Sequence, residues 1–173
     1  MARYFLLRRD NVGSSGYVRS WTDSLVWHHL GHSTDIALWL LGVEAVDGLR
    51  VASLAAEPDP QRGTVMDVTL VVRTASNQLA TIAGSYNNDS GQVYDYLLSG
   101  EGSSYGVANG VVRRGSEIVF DERRDLNGDD EDRLLHDREF FTSVYEGRPA
   151  AVGADAVLPA MWVLQQVDKA CVR

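Results

Sequence analysis

The sequence predicts an α+β domain built around one open sheet that is mixed or mostly antiparallel. The predicted elements run in the order strand, helix, a series of strands, and two helices, and strands in series favour such a layer over alternating βα units. The 173 residues suit one domain. Hydrophobic residues at 45% and charged residues at 23% are ordinary for a globular protein.

Each element has a local signal. Ala2–Arg9 is predicted as a strand and Thr22–Leu41 as a helix, with Thr22 or Asp23 as N-cap and Gly42 after its end. This helix is apolar nearly all round, so we expect burial on more than one face. Further strands are predicted at Ala45–Leu54, Val65–Thr74, Asn77–Tyr86, Gln92–Ser99, Tyr105–Asn109 and Val111–Phe120, and further helices at Asp129–Tyr145 and Ala154–Ala170.

Charge and composition exclude several classes of protein. Sixteen Lys and Arg against 24 Asp and Glu give a net charge of −8, so we expect no nucleic-acid or membrane partner. Lys169 is the single lysine and lies near the end, which argues against lysine catalysis. Cys171 is the single cysteine, which excludes an internal disulfide and favours the reducing cytoplasm. The short apolar run near the N-terminus does not make a signal peptide.

Histidines cluster on the first predicted helix. His28, His29 and His32 lie within five residues, and His28 and His32 are four apart, which puts them on one helical face. Asp35 follows at the next turn and could orient an imidazole that transfers a proton. There are two alternatives: His28 and His32 could bind a metal ion, or the histidines could be purely structural. His28, His32 and Asp35 could not all coordinate one ion, because Asp35 lies about 10 Å along the axis from His28.

Arginines bracket the loop that precedes this helix. Arg8, Arg9 and Arg19 could bind a carboxylate by paired hydrogen bonds, although ordinary salt bridges are an equal alternative. The loop itself contains Gly13 and Gly16 but lacks the GxGxxG pattern of a dinucleotide site.

The segments from Arg8 to Asn11 and from Arg19 to Asp35 resemble the C-terminal domain of Gfo/Idh/MocA oxidoreductases. The resemblance implies helices on one sheet face, with the free face forming a homodimer or homotetramer interface. It implies His32 as general acid and base, with His28 at a position that is usually acidic and Asp35 orienting. The remaining candidate substrate contacts are Arg8, Arg9, Asn11, Arg19, Trp21, Asp23 and His29.

In that family a Rossmann domain precedes this one and binds the nucleotide. The resemblance therefore implies that residues 1–173 form a substrate-binding and oligomerisation domain, the C-terminal half of an NAD- or NADP-dependent dehydrogenase. We expect this chain alone to bind no cofactor and no metal, and a separate nucleotide-binding domain to be its partner. The expected substrate is an anionic hydroxy compound or semialdehyde. The alternatives are a non-catalytic dimeric binding or scaffold protein and, more weakly, a metal-dependent lyase.

Overall fold

The computed structural model describes residues 1–12, 15–20, 24–122 and 131–171, with side chains from 134 onward in the last range. Its strands are β1 (Ala2–Phe5), β2 (Arg50–Ala55), β3 (Asp67–Arg73), β4 (Leu79–Ser85), β5 (Val93–Ser99), β6 (Ser104–Ala108), β7 (Val111–Arg114) and β8 (Glu117–Asp121). Its helices are α1 (Leu25–His28), α2 (Leu30–Leu40), α3 (Glu131–Glu146), a 3₁₀ helix (Ala154–Val157) and α4 (Leu158–Cys171).

The strands of the described residues form one open, eight-stranded sheet in the order β2-β3-β4-β1-β5-β6-β7-β8. The first strand of the chain lies in the middle, parallel to β4 and antiparallel to β5. All other pairs are antiparallel. A parallel neighbour requires a long crossover, and here the crossover contains α1 and α2. The predicted mixed sheet is confirmed.

One face of this sheet is covered by helices. Alternate residues of β3 and β4 are buried beneath the helix layer, while their neighbours point the other way. The buried set is Val68, Leu70, Val72, Ala80 and Ile82. On the opposite face Leu54 is 81% exposed. The expectation of a one-sided helix layer is thus confirmed.

The helix layer approaches the sheet closely at Gly84. A Cβ atom at this position would lie 2.6 Å from Cδ2 of Leu30 and 3.3 Å from Cδ1 of Leu25. Both leucines are fully buried and flank the junction between α1 and α2. The missing side chain at Gly84 therefore allows this junction to rest directly on the sheet.

The prediction of one continuous helix over Thr22–Leu41 is wrong at His29. His29 has φ −117° and ψ −37°, and it ends α1 and precedes α2. The shared helical face of His28 and His32 assumed an unbroken helix, so that argument no longer holds. The expectation that this helix is buried on more than one face also overestimates its burial, because Trp39 is 75% exposed.

Several predicted strands have different limits, and the strand expected over Ala45–Leu54 begins only at Arg50. The strand expected over Val111–Phe120 is a hairpin, in which the chain reverses at Gly115 with φ +60°. The strand expected over Ala2–Arg9 ends at Phe5. Arg8 and Arg9 consequently lie in the segment that leaves the sheet.

Replacing Gly84 with alanine should lower the free energy of unfolding by about 1–3 kcal/mol, because the added methyl group overpacks Leu25 and Leu30. Gly106→Ala is the matched control, since a Cβ there meets nothing within 4 Å. Urea unfolding of both variants measures the difference. Equal stability of the two variants would contradict the close approach.

Candidate functional site

The segment after β1 continues alongside the end of β4. The backbone N–H of Leu6 donates to the carbonyl of Ser85, and that of Arg8 donates to the carbonyl of Tyr86, both at 2.9 Å. These bonds extend the pairing of the two parallel strands beyond Phe5. They place Arg8 beside Tyr86, which is 78 residues later in the chain.

The Arg8 guanidinium is held by Tyr86 and Asn11. Its Nη1 donates to the Tyr86 hydroxyl at 3.3 Å, and its Nη2 donates to the Asn11 amide oxygen. Its Cζ also lies 5.3 Å from the centre of the Tyr86 ring, within cation–π range. Arg8 is therefore fixed in direction before any ligand arrives.

Asn11 closes the loop that follows. Its side chain is 2% exposed, and its amide nitrogen donates to the carbonyl of Ser20. Its own backbone carbonyl accepts the N–H of Arg19 at 2.6 Å. These bonds return Arg19 to the neighbourhood of Arg8. Asn11 thus braces the loop from within, and its predicted contact with substrate stays a prediction.

His29 lies at the break between α1 and α2 and reaches down to the sheet. Its Nδ1 is 2.5 Å from the Tyr86 hydroxyl. Its ring centre is 4.3 Å from that of His28, 4.8 Å from that of Tyr4 and 5.3 Å from that of Tyr86, whose ring is perpendicular. Tyr86 is fully buried, so this hydrogen bond is shielded from water.

The imidazole of His29 resists protonation. The pKa of His29 is lowered from 6.5 to about 4, mainly by burial and then, in decreasing order of effect, by the nearby charges of His28, Arg8 and His32. His29 is therefore a neutral hydrogen-bonding group at physiological pH and not a cation.

Five of the predicted site residues line one cleft of about 640 Å³. They are Arg8, Arg9, Arg19, His28 and His29, and the remaining walls are Leu6, Leu7, Asp10 and Val12. Among the described residues that line it are three arginines and one acidic residue, Asp10, so this lining is positive on a protein whose net charge is −8. Such a cleft attracts an anionic ligand.

The other predicted site residues lie elsewhere. His32 is exposed on α2 and is not among the described residues that line this cleft. Asp35 lines a second cavity of about 490 Å³, together with Trp39, Glu44 and the segment 151–160. Trp21 and Asp23 lie outside the described residues. The catalytic and orienting roles of His28, His32 and Asp35 stay predictions.

Sequence reasoning missed three contributors to the cleft. Tyr4 and Tyr86 contact His29, and Arg62 donates to the Arg9 carbonyl from its Nε at 3.0 Å and its Nη2 at 2.8 Å. Strand alternation could have identified the two tyrosines, because Tyr4 pairs with Gly84 on the helix-covered face and Tyr86 follows two residues later. Arg62 lies in a loop and carried no such signal.

The start of α1 differs from the helix start that binds a dinucleotide. The helix that follows β1 has only four residues, and the Ser24 hydroxyl already accepts the N–H of Trp27 at its start. A pyrophosphate requires free N–H groups at such a helix start. In the part of the chain that the structure describes, no three His, Cys, Asp or Glu side chains are grouped as metal ligands, and no helix is long and apolar enough to cross a membrane.

Residues 1–118 match the family described as bacterial oxidoreductases, C-terminal. The chain belongs to this family. Over 168 residues it is 28% identical to 4-carboxy-2-hydroxymuconate-6-semialdehyde dehydrogenase of a Sphingobium species, strain SYK-6, covering 95% of this chain and 50% of that enzyme. The resemblance predicted from Arg8 to Asp35 is thereby confirmed.

Solved structures show the same fold. Levoglucosan dehydrogenase, in complex with NADH and L-sorbose, matches 99% of this chain and 55% of its own with a TM-score of 0.75 and 14% identity. UDP-N-acetylglucosamine 3-dehydrogenase from Acidithiobacillus ferrooxidans matches 99% of this chain and 54% of its own with a TM-score of 0.71 and 17% identity. The chain spans about half the length of these relatives.

Acid should destabilise the fold through His29. Unfolded, this imidazole takes up a proton near pH 6.5, whereas in the fold it does so near pH 4. The contribution of neutral His29 to the free energy of unfolding is therefore complete above pH 6.5 and is lost as the pH falls towards 4. The loss is about 1–3 kcal/mol for a partly solvated ring.

Urea unfolding at pH 7.5, 5.5 and 4.5 measures this effect. His29→Gln should flatten the pH dependence of stability, and His136→Gln, at an exposed position on α3, should leave it unchanged. A His29→Gln profile that parallels that of the unmodified protein would rule out His29 as the source.

Proposed function

We propose that this chain is the substrate-binding and oligomerisation domain of an NAD- or NADP-dependent oxidoreductase whose substrate is an anionic hydroxy compound or semialdehyde, bound as a hemiacetal. Family membership supports the reaction class. The cleft supports the charge of the substrate. By its name, the Sphingobium relative acts on a carboxylated semialdehyde, which combines a negative charge with an aldehyde group.

The observation that best supports this proposal is a pair of arginines without an acidic partner among the described residues. Arg9 and Arg19 line the cleft, and within the described part of the chain neither side chain forms an ion pair. The bonds from Arg62 to the Arg9 carbonyl and from Arg19 N–H to Asn11 fix their backbones. Two such guanidinium groups in one cleft suit paired hydrogen bonds with a carboxylate.

The nucleotide belongs, in this proposal, to a separate nucleotide-binding domain, because the four-residue helix after β1, capped by Ser24, does not resemble a pyrophosphate-binding helix start. The exposed position of His32 suits a site completed by such a domain, which would cover α2 from outside. His32 then exchanges a proton with the substrate hydroxyl, His28 contacts the substrate or shares the proton, and Asp35 orients the imidazole.

His32→Ala should lower kcat at least 100-fold in a fusion of this chain to the N-terminal half of the Sphingobium dehydrogenase, because loss of a general acid and base typically costs 10²–10⁴. Stability should change by less than about 0.5 kcal/mol, since His32 is exposed. The assay follows NADH or NADPH formation with that enzyme's semialdehyde, and His136→Ala is the control.

Unchanged turnover in His32→Ala would remove this residue from the mechanism. Nucleotide binding by the fusion without turnover would contradict the dehydrogenase proposal and favour a non-catalytic binding protein.

We also propose that the free face of the sheet forms a homodimer or homotetramer interface. Leu54, Leu97 and Ile118 are exposed apolar residues that share this face through their strand register. Burial of these exposed apolar side chains by a second copy would stabilise the assembly.

Leu54→Asp should shift the protein towards monomers, because the new carboxylate would be buried at the interface without a partner. Leu134→Asp, at an exposed apolar position on α3, is the control and should leave the assembly intact. Sedimentation velocity measures both. An oligomer that survives Leu54→Asp would place the interface elsewhere.

A further inference from the structure

We propose that Tyr86 is a positioning residue that holds His29 in its Nε2–H form, so that the imidazole donates a hydrogen bond to a carboxylate oxygen of the bound ligand. The part that concerns the ligand rests on the proposed function. The part that concerns the tautomer stands on the hydrogen bonds of this chain alone.

The direction of the hydrogen bonds follows from Arg8. A guanidinium group can only donate, so the Tyr86 hydroxyl accepts from Arg8 Nη1 at 3.3 Å. With Arg8 as donor to the oxygen, we assign the hydroxyl proton to Nδ1 of His29, which lies 2.5 Å away. A ring nitrogen that accepts a hydrogen bond in this way carries no proton of its own. In this assignment neutral His29 carries its proton on Nε2.

Packing fixes the plane of the ring as well as its tautomer. The Tyr4 ring lies at a 34° tilt to the His29 ring, the His28 ring at 33°, and the Tyr86 ring at 90°. Three aromatic neighbours leave the imidazole little freedom to turn. The buried Tyr86 hydroxyl occupies the Nδ1 side, and among the described residues Nε2 has no hydrogen-bond partner.

The groups around His29 keep it neutral. No carboxylate contacts the ring among the described residues; the titratable groups that face it are His28, His32, Arg8, Tyr4 and Tyr86. The positive charge of Arg8 opposes a second positive charge on the ring, and burial acts in the same direction. A protonated ring would also have to give up the bond that it accepts from Tyr86.

A neutral donor beside two arginines has a specific use. Arg9 and Arg19 supply the charge that attracts a carboxylate, and their side chains are exposed. His29 Nε2–H adds a donor with fixed direction from the rigid side of the cleft. It would place the carboxylate relative to His28 without itself exchanging a proton.

NMR of the whole ¹⁵N-labelled chain at pH 7 tests this inference without substrate or nucleotide. Long-range ¹H–¹⁵N spectra report which ring nitrogen carries the proton, and His29→Gln assigns the His29 signals by their loss. We expect Nε2–H in the unmodified protein, a mixture of tautomers in Tyr86→Phe, and no change in Tyr4→Phe. Tyr4→Phe is the matched control, because its ring also contacts His29 but its hydroxyl faces Gln92.

An Nδ1–H tautomer in the unmodified protein would overturn the proposal. This measurement does not depend on the folding of any variant. A Tyr86→Phe spectrum identical to that of the unmodified protein would do the same.

A malonate titration in the same samples tests the ligand part. We expect the His29 Nε2 signal to shift, with an apparent Kd severalfold weaker in Tyr86→Phe than in Tyr4→Phe. A malonate titration that leaves His29 unmoved while the arginine signals shift would overturn the donor role. No binding at all would contradict the anionic cleft of the proposed function, while the tautomer result would still decide the role of Tyr86.

Discussion

The contact on which the site depends is the close approach of the α1–α2 junction to the sheet at Gly84. Leu25 and Leu30 occupy the space that a side chain at this position would fill. Because the junction lies directly on the sheet, the His29 side chain can reach the Tyr86 hydroxyl with its Nδ1 atom. A larger residue at Gly84 would lift the junction and separate the helix layer from the tyrosines. Packing in the core thus determines whether the polar network of the cleft can form at all.

The same arrangement gives the two sides of the cleft different physical character. On the sheet side, Arg8 is hydrogen-bonded to Tyr86, and the Tyr4 ring packs against that of His29, so these side chains have fixed directions. On the loop side, Arg9 and Arg19 have anchored backbones but exposed side chains. A rigid wall suits precise orientation of a ligand, whereas long exposed arginines suit its capture from solution.

The three clustered histidines have separate environments. His28 and His29 line the cleft with their rings 4.3 Å apart, whereas His32 is exposed on α2. His29, with φ −117° and ψ −37°, lies between the two helices that carry His28 and His32. In the proposed enzyme, recognition of the anion and proton exchange are accordingly assigned to different faces of the same segment. The relatives of this chain are about twice its length, which fits a site shared with another domain.

The sequence by itself determined the layer architecture, the histidine cluster, the arginines that bracket the loop and the family. These depend on strand alternation, helix periodicity and residues that are near one another in the chain. It did not determine the break at His29, nor the partnership of Arg8 and His29 with Tyr86. Those contacts join residues 57 and 78 positions apart, and they form only because β1 lies beside β4. Local pattern carries no information about which strands become neighbours, so only the tertiary structure decided which histidine meets the sheet.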